Sequence, residues 1–141
     1  MEKISFDNGV RQYKLGQGVL KLNPSDPNLF LRFEKISGEL AQIEKEMEQR
    51  LQSASEDASV VALLHEADIR MKQLLNRLFG PENDFDKILG GVNLLAVASN
   101  GQRVVTNLFA ALEPILTEGA RQCAQLAGDE ALEKARQRRG F

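Results

Sequence analysis

Residues 33–51 read FEKISGELAQIEKEMEQRL, and their periodicity decides the fold class. Phe33, Ile36, Leu40, Ile43, Met47 and Leu51 recur at intervals of three and four. Side chains so spaced share one helix face, while Glu34, Glu39, Glu44, Lys45, Glu46 and Glu48 fall elsewhere on the surface. The narrow apolar seam predicts an amphipathic helix. Its start is legible upstream in NPSDP: Asp26 can cap the helix and Pro27 suits a first turn that needs no intrahelical donor. Downstream, QSASED (52–57) is a polar connection rich in capping residues. A second seam follows at Val60, Leu64, Ala67, Met71, Leu74 and Leu78, widened by Leu63, Leu75 and Phe79. Two such helices joined by a short loop predict an antiparallel hairpin over residues 26–79.

Upstream of the hairpin, residues 1–23 read as a small β-meander. Asn8-Gly9 in KISFDNGVRQYKL matches a two-residue hairpin turn, which would set Phe6 opposite Arg11 and Ile4 opposite Tyr13. Gly16-Gln17-Gly18 is a second tight connection, leading to a third strand over 19–22. Downstream, residues 80–99 form a joint, FGPENDFDKILGG and the apolar stretch after it. A single helical turn is expected at Phe85–Leu89, capped by Asn83 or Asp84. Over 92–98 helix is slightly favoured above strand. Residues 100–128 carry a last long helix that Pro114 should kink or divide. Residues 129–141 form a charged tail with a short fraying helix after Gly128. The expected architecture is a single domain, mainly α with a small N-terminal β-meander (α+β).

Few residues offer chemistry. His65-Glu66 is half of an H-E-x-x-H zinc motif, but position 69 is isoleucine, so His65 reads as a surface residue. Cys123, the only cysteine, lies at a core-like helical position far from that histidine and reads as a buried structural thiol. Glu82, Asp84 and Asp86 alternate as in calcium loops, yet Lys87-Ile88-Leu89 stands where a bidentate glutamate is needed. The glycines form no phosphate-binding pattern. No catalytic, metal or cofactor residue is therefore assigned, and an enzyme is not expected.

Charge and cysteine usage bound the partners. A net charge of −2 is too balanced for a polyanion binder. The longest apolar runs, such as Leu94–Ala98, fall far short of a membrane span. The start, MEKISFDNG, has no apolar h-region after its charges, and a lone cysteine suits a reducing compartment. Residues 132–141 hold Lys134, Arg136, Arg138 and Arg139 against Glu133, a local charge of +3, whereas residues 34–48 hold five Glu and two Lys. The tail reads either as a solvated helix end or as a contact for an acidic partner. With no aromatic before Phe141 it suits nucleic acid poorly. The first-helix seam reads either as core or as a surface for a partner helix or for self-association. Phe33, Leu40, Ile43 and Met47 are its partner-binding candidates, with Arg136, Arg138 and Arg139 as a secondary contact.

Three motifs in order carry a family resemblance. LNPSDPNLFLRF (22–33) is similar to an F-x-P-[ST]-D entry into a first helix. LFGPENDFDKILGG (78–91) is similar to a glycine-bounded joint after a helical hairpin, and NLFAALEPIL (107–116) to an F-x-x-L-x-P-x-[IL] helix. Together they cover about residues 4–120 and resemble the tail-assembly chaperones of long-tailed phages and prophages of Gram-positive hosts. The insertion GGVNLLAVASNGQR departs from that pattern and leaves a neighbouring prophage tail family as the alternative. The resemblance implies a non-enzymatic protein that holds the tape-measure protein, recruits tail-tube subunits and leaves before the virion is complete. It would act in the cytoplasm of the bacterial host, without membrane or nucleic acid, and a homo-oligomer is expected. The rival classes are a minor tail or connector subunit of the virion and a small nucleic-acid-binding regulator.

Overall fold

The computed structural model describes residues 1–139. It is mainly helical with a small N-terminal antiparallel sheet: β1 (Arg11–Leu15), β2 (Gly18–Leu22), α1 (Pro27–Ser53), α2 (Asp57–Phe79), α3 (Phe85–Ile88) and α4 (Val104–Arg138). Asp26 caps α1 by accepting from the Asn28 N–H at 2.9 Å, and Pro27 occupies its first turn. Asp84, rather than Asn83, caps α3, accepting from the N–H groups of Asp86 and Lys87.

The helical hairpin forms as its seams predict. Ile36, Leu40 and Ile43 of α1 are buried with Ala67, Met71, Leu74, Leu75 and Leu78 of α2 in one core. Three ion pairs bridge the two helices outside that seam: Glu39–Arg77 at 2.9 Å, Glu46–Arg70 at 2.9 Å and Arg50–Glu66 at 3.1 Å. Their residue numbers rise on one helix as they fall on the other, the signature of antiparallel register. The Arg70 hydrogen bond, helped by Gln42, lowers the pKa of Glu46. Being exposed, the three pairs specify register more than they stabilise.

The sheet has two strands where three were expected. Its turn is Gly16-Gln17, with Leu15 opposite Gly18 and Tyr13 opposite Leu20, and Gly16 takes the positive φ of 57° that a primed turn requires at its first position. The expected strand over residues 3–6 is absent, and Ile4 and Phe6 are exposed at 88% and 82%. The reason is local. A type I′ turn needs positive φ at both central residues, but only Gly9 adopts it. Asp7 and Asn8 instead accept from the N–H groups of Gly9 and Val10, and Asn23 donates to the Asn8 carbonyl. The Asn8 side chain thus takes the Val10 N–H that would have closed the hairpin turn.

Three further expectations are corrected. Residues 92–98 form turns, not helix, apart from a bridge between Val97 and Arg103. Gly90 and Gly91 both have positive φ, the Asp68 carboxylate takes the Leu94 N–H at 2.7 Å, and the Asn93 side chain takes that of Leu95. Of the kink or division expected at Pro114, division is excluded, because α4 runs unbroken through it. Ala110, whose carbonyl loses its helical donor, is exposed like Pro114 itself, so water can satisfy it. The tail is not a separate element either: α4 passes through Gly128 to Arg138. Gly128 meets no neighbour within 4 Å and keeps a negative φ, leaving only the cost of about 1 kcal/mol of a glycine in a helix. Within the tail, Gly140 and Phe141 lie outside the described residues.

Candidate partner-binding groove

Two features hold α4 against the body and so create a strongly apolar groove. At its start, the Val105 N–H donates to the Leu94 carbonyl at 2.8 Å and Arg103 donates to the Leu95 carbonyl. Farther along, Gly119 lies against the Pro24 carbonyl, where a Cβ would approach to 1.8 Å. Only glycine permits that approach. Between these anchors Val105, Leu108 and Leu112 point into the core.

The groove runs between the first turns of α1 and the middle of α4. Leu29, Phe30, Phe33, Phe109, Leu116 and Ala120 line it, with Glu113 and Thr117 at the α4 margin, and it encloses about 490 Å³. Phe33 and Phe109 meet edge to face, with centroids 6.4 Å apart. Phe33 keeps 37% of its surface exposed, so an incoming apolar side chain would find an aromatic edge in place. Residues of α4 near Phe109 face the Phe33 end of the groove, and those near Gly119 face Pro24. The two helices therefore run in opposite directions along it.

The sequence candidates divide between this groove and other places. Phe33 lines it. Leu40 and Ile43, at 9% and 5% exposure, are core residues packed toward α2, and Met47 packs half-buried against the same core. The seam is thus core at Ile36, Leu40 and Ile43, and of the three only Met47 keeps part of its surface exposed. Arg136, Arg138 and Arg139 are exposed at the end of α4, with Arg136 3.9 Å from Glu133. Cys123 is half-buried rather than core, because α4 has left the body by that point. His65 is exposed as expected. Among the described residues no group of three His, Cys, Asp or Glu side chains is placed to hold a metal, and no helix is long and apolar enough to cross a membrane.

Beyond the groove, α4 continues as an overhang. From Arg121 to Arg138 every residue is exposed except Cys123 and Ala135. At 1.5 Å per residue this overhang is about 27 Å long. Ala120, Ala124, Ala127 and Ala131 follow one another at helical spacing in line with Phe109 and Leu116. Leu126 and Leu132 lie off that line.

The groove rests on a polar frame that sequence reasoning missed. Lys72 of α2 is 3.0 Å from Asp68 and 2.7 Å from Asp86 of α3. Burial alone would lower the Lys72 pKa, but its hydrogen bonds and charge pairing with Asp86 and Asp68 outweigh that and raise it. Asp68 also accepts from the Leu94 N–H, linking α2, α3 and the segment leading to α4. Asn83, 1% exposed, accepts from the Lys21 N–H at 2.7 Å and donates to the carbonyls of Lys21 and Phe79 at 2.8 Å. Arg32 donates to the Leu78 carbonyl at 3.0 Å. The available signal was modest: Asp68 and Lys72 stand four apart beside Leu64, Leu75 and Phe79, where an opposite-charge pair flanks an apolar face.

No protein-family model matches the chain, and neither curated proteins nor solved structures provide a match.

Proposed function

We propose that this chain is a phage or prophage tail-assembly chaperone that shelters amphipathic helical segments of a tape-measure protein and assists assembly of the tail tube. The observation that carries the reading is the α1/α4 groove: an elongated apolar channel between two helices, edged by aromatic rings and extended by a helical overhang. Such a channel suits an amphipathic helix, whose residues at i, i+3, i+4 and i+7 would enter it. The motif order at residues 22–33, 78–91 and 107–116 supports the same assignment. The role is non-enzymatic, is carried out in the bacterial cytoplasm and ends before the virion is complete.

The test is co-expression with the tape-measure protein of the same phage. The wild-type chain should raise the soluble fraction of that partner and co-purify with it. Phe33→Glu and Ala120→Glu, which place a carboxylate in the groove, should abolish both effects while leaving the helical circular dichroism unchanged. Equal solubility of the partner with and without the chain would refute the assignment. Finding the chain in purified virions would reassign it as a minor tail or connector subunit, and DNA binding by the basic end of α4 as a regulator.

A further inference from the structure

The α4 overhang and the α1/α4 groove are complementary to each other, but they lie end to end on one rigid helix and cannot meet within one chain. We propose that they meet between two copies: the chain forms a two-fold dimer in which each α4 overhang lies antiparallel along its partner's α4, in the groove beside α1. This concerns the groove of the chaperone reading but does not depend on which client that groove accepts.

Three observations carry the dimer. First, residues Arg121–Arg138 are helical yet almost wholly exposed, and a helical extension without a packed face gains little stability in water. Second, sizes match. Centring the two-fold axis beside Cys123 and Ala124 sets Ala120 opposite Ala127 and Leu116 opposite Ala131, so small residues meet at the crossing and a large one meets a small one beyond it. Small side chains let two helices approach closely, and ridges then seat in grooves. Phe109, at the groove's far end, falls opposite the aliphatic stem of Arg138.

Third, charges match in that same register. Glu113 on the groove margin falls opposite Lys134, and Glu34, next in the chain to the groove residue Phe33, is exposed. The overhang's end is basic, with Lys134, Arg136, Arg138 and Arg139, while α1 carries exposed Glu34, Glu44 and Glu48. An isologous interface makes every such contact twice. It also makes dimer and client compete for one groove, so a client helix is admitted as an overhang leaves.

Sedimentation velocity of the full chain over a range of concentrations tests this directly. Wild type should sediment as a dimer, and Ala127→Glu should sediment as a monomer with unchanged helical circular dichroism, since Ala127 is exposed in the single chain. Glu113→Lys and Lys134→Glu should each weaken dimerisation at least about tenfold, and the double variant should restore it. That charge exchange decides the matter even if Ala127→Glu fails to fold. A wild-type monomer at high micromolar concentration, or a dimer indifferent to Ala127→Glu and to the charge exchange, would overturn the proposal. Loss of dimerisation with client binding retained sinks neither reading, whereas client failure with an intact dimer sinks the chaperone reading alone.

Discussion

Replacing Asp68 by alanine should be among the most destabilising single changes in the molecule. Asp68 and Lys72 have side chains only 8% and 7% exposed. Removing the carboxylate leaves Lys72 buried with one partner, Asp86, whose own side chain is 65% exposed. Breaking a buried pair from one side costs about 3–5 kcal/mol, and the surviving Asp86 contact puts this case at the lower end. The Leu94 N–H also loses its acceptor, adding about 1 kcal/mol. The expected loss is therefore about 4 kcal/mol, a large share of the roughly 5–15 kcal/mol that stabilises a typical domain. Urea unfolding followed at 222 nm should show the midpoint falling by about 2 M if the slope is near 2 kcal/mol per M. Asp68→Ala with Lys72→Met removes both buried charges and should be distinctly more stable than the sum of the two single losses implies. An Asp68→Ala cost under about 1 kcal/mol, or strict additivity in the double variant, would refute the view that the pair is buried and mutually dependent.

Other perturbations test the remaining frame. Asn83→Ala removes three hydrogen bonds at a buried site and should cost about 2–4 kcal/mol, with faster hydrogen exchange at the Lys21 amide as the local readout. Gly119→Ala would drive a methyl group into the Pro24 carbonyl. It should destabilise by about 2 kcal/mol or more and weaken client binding in the groove next to it. The raised Lys72 pKa fixes an alkaline dependence: its contribution is fully present below the ordinary lysine value of 10.5 and is lost as pH rises through the higher folded value. The stability gap between wild type and Lys72→Met should thus stay constant from about pH 7 to 10 and narrow above that. A gap that stays constant as pH rises well above 10.5 would contradict this assignment.

The helices were legible because their signals are local and repeated. The α1 and α2 seams, the Asp26 cap with Pro27, and the Asp84 cap each involve residues within a turn or two of one another. What escaped the sequence were choices made over distance or between competing local bonds. Asn8-Gly9 had the letters of a hairpin turn, yet the Asn8 amide oxygen captured the Val10 N–H that would have closed it. Leu94 and Leu95 had the composition of an element, but Asp68, 26 residues away in the chain, took the backbone group that would have begun it. For the seam, the sequence left core and partner surface open, and the structure makes Leu40 and Ile43 core while Phe33 lines the groove. A face of period three and four does not reveal which neighbour covers it, and α2 covers Leu40 and Ile43. The groove joins Leu29, Phe30 and Phe33 to residues some 80 positions later in the chain, a pairing that no local pattern encodes.

Asn83 has one more consequence, for the sheet it serves. In the hairpin register Lys21 turns its N–H and C=O away from β1, and the Asn83 amide satisfies both, as a peptide group of a third strand would. One side chain from a distant loop thereby caps the β2 margin at Lys21. On the other margin, the same alternation directs the backbone groups of Gln12 and Lys14 outward. The two margins consequently differ: β2 is capped at Lys21, while β1 carries no such cap at Gln12 or Lys14. Arg11 and Lys14 set two cations on that margin, a device that discourages like strands from adding to it. Mutating Asn83 would free the Lys21 peptide groups on a second margin, one that carries a single cation, Lys21 itself.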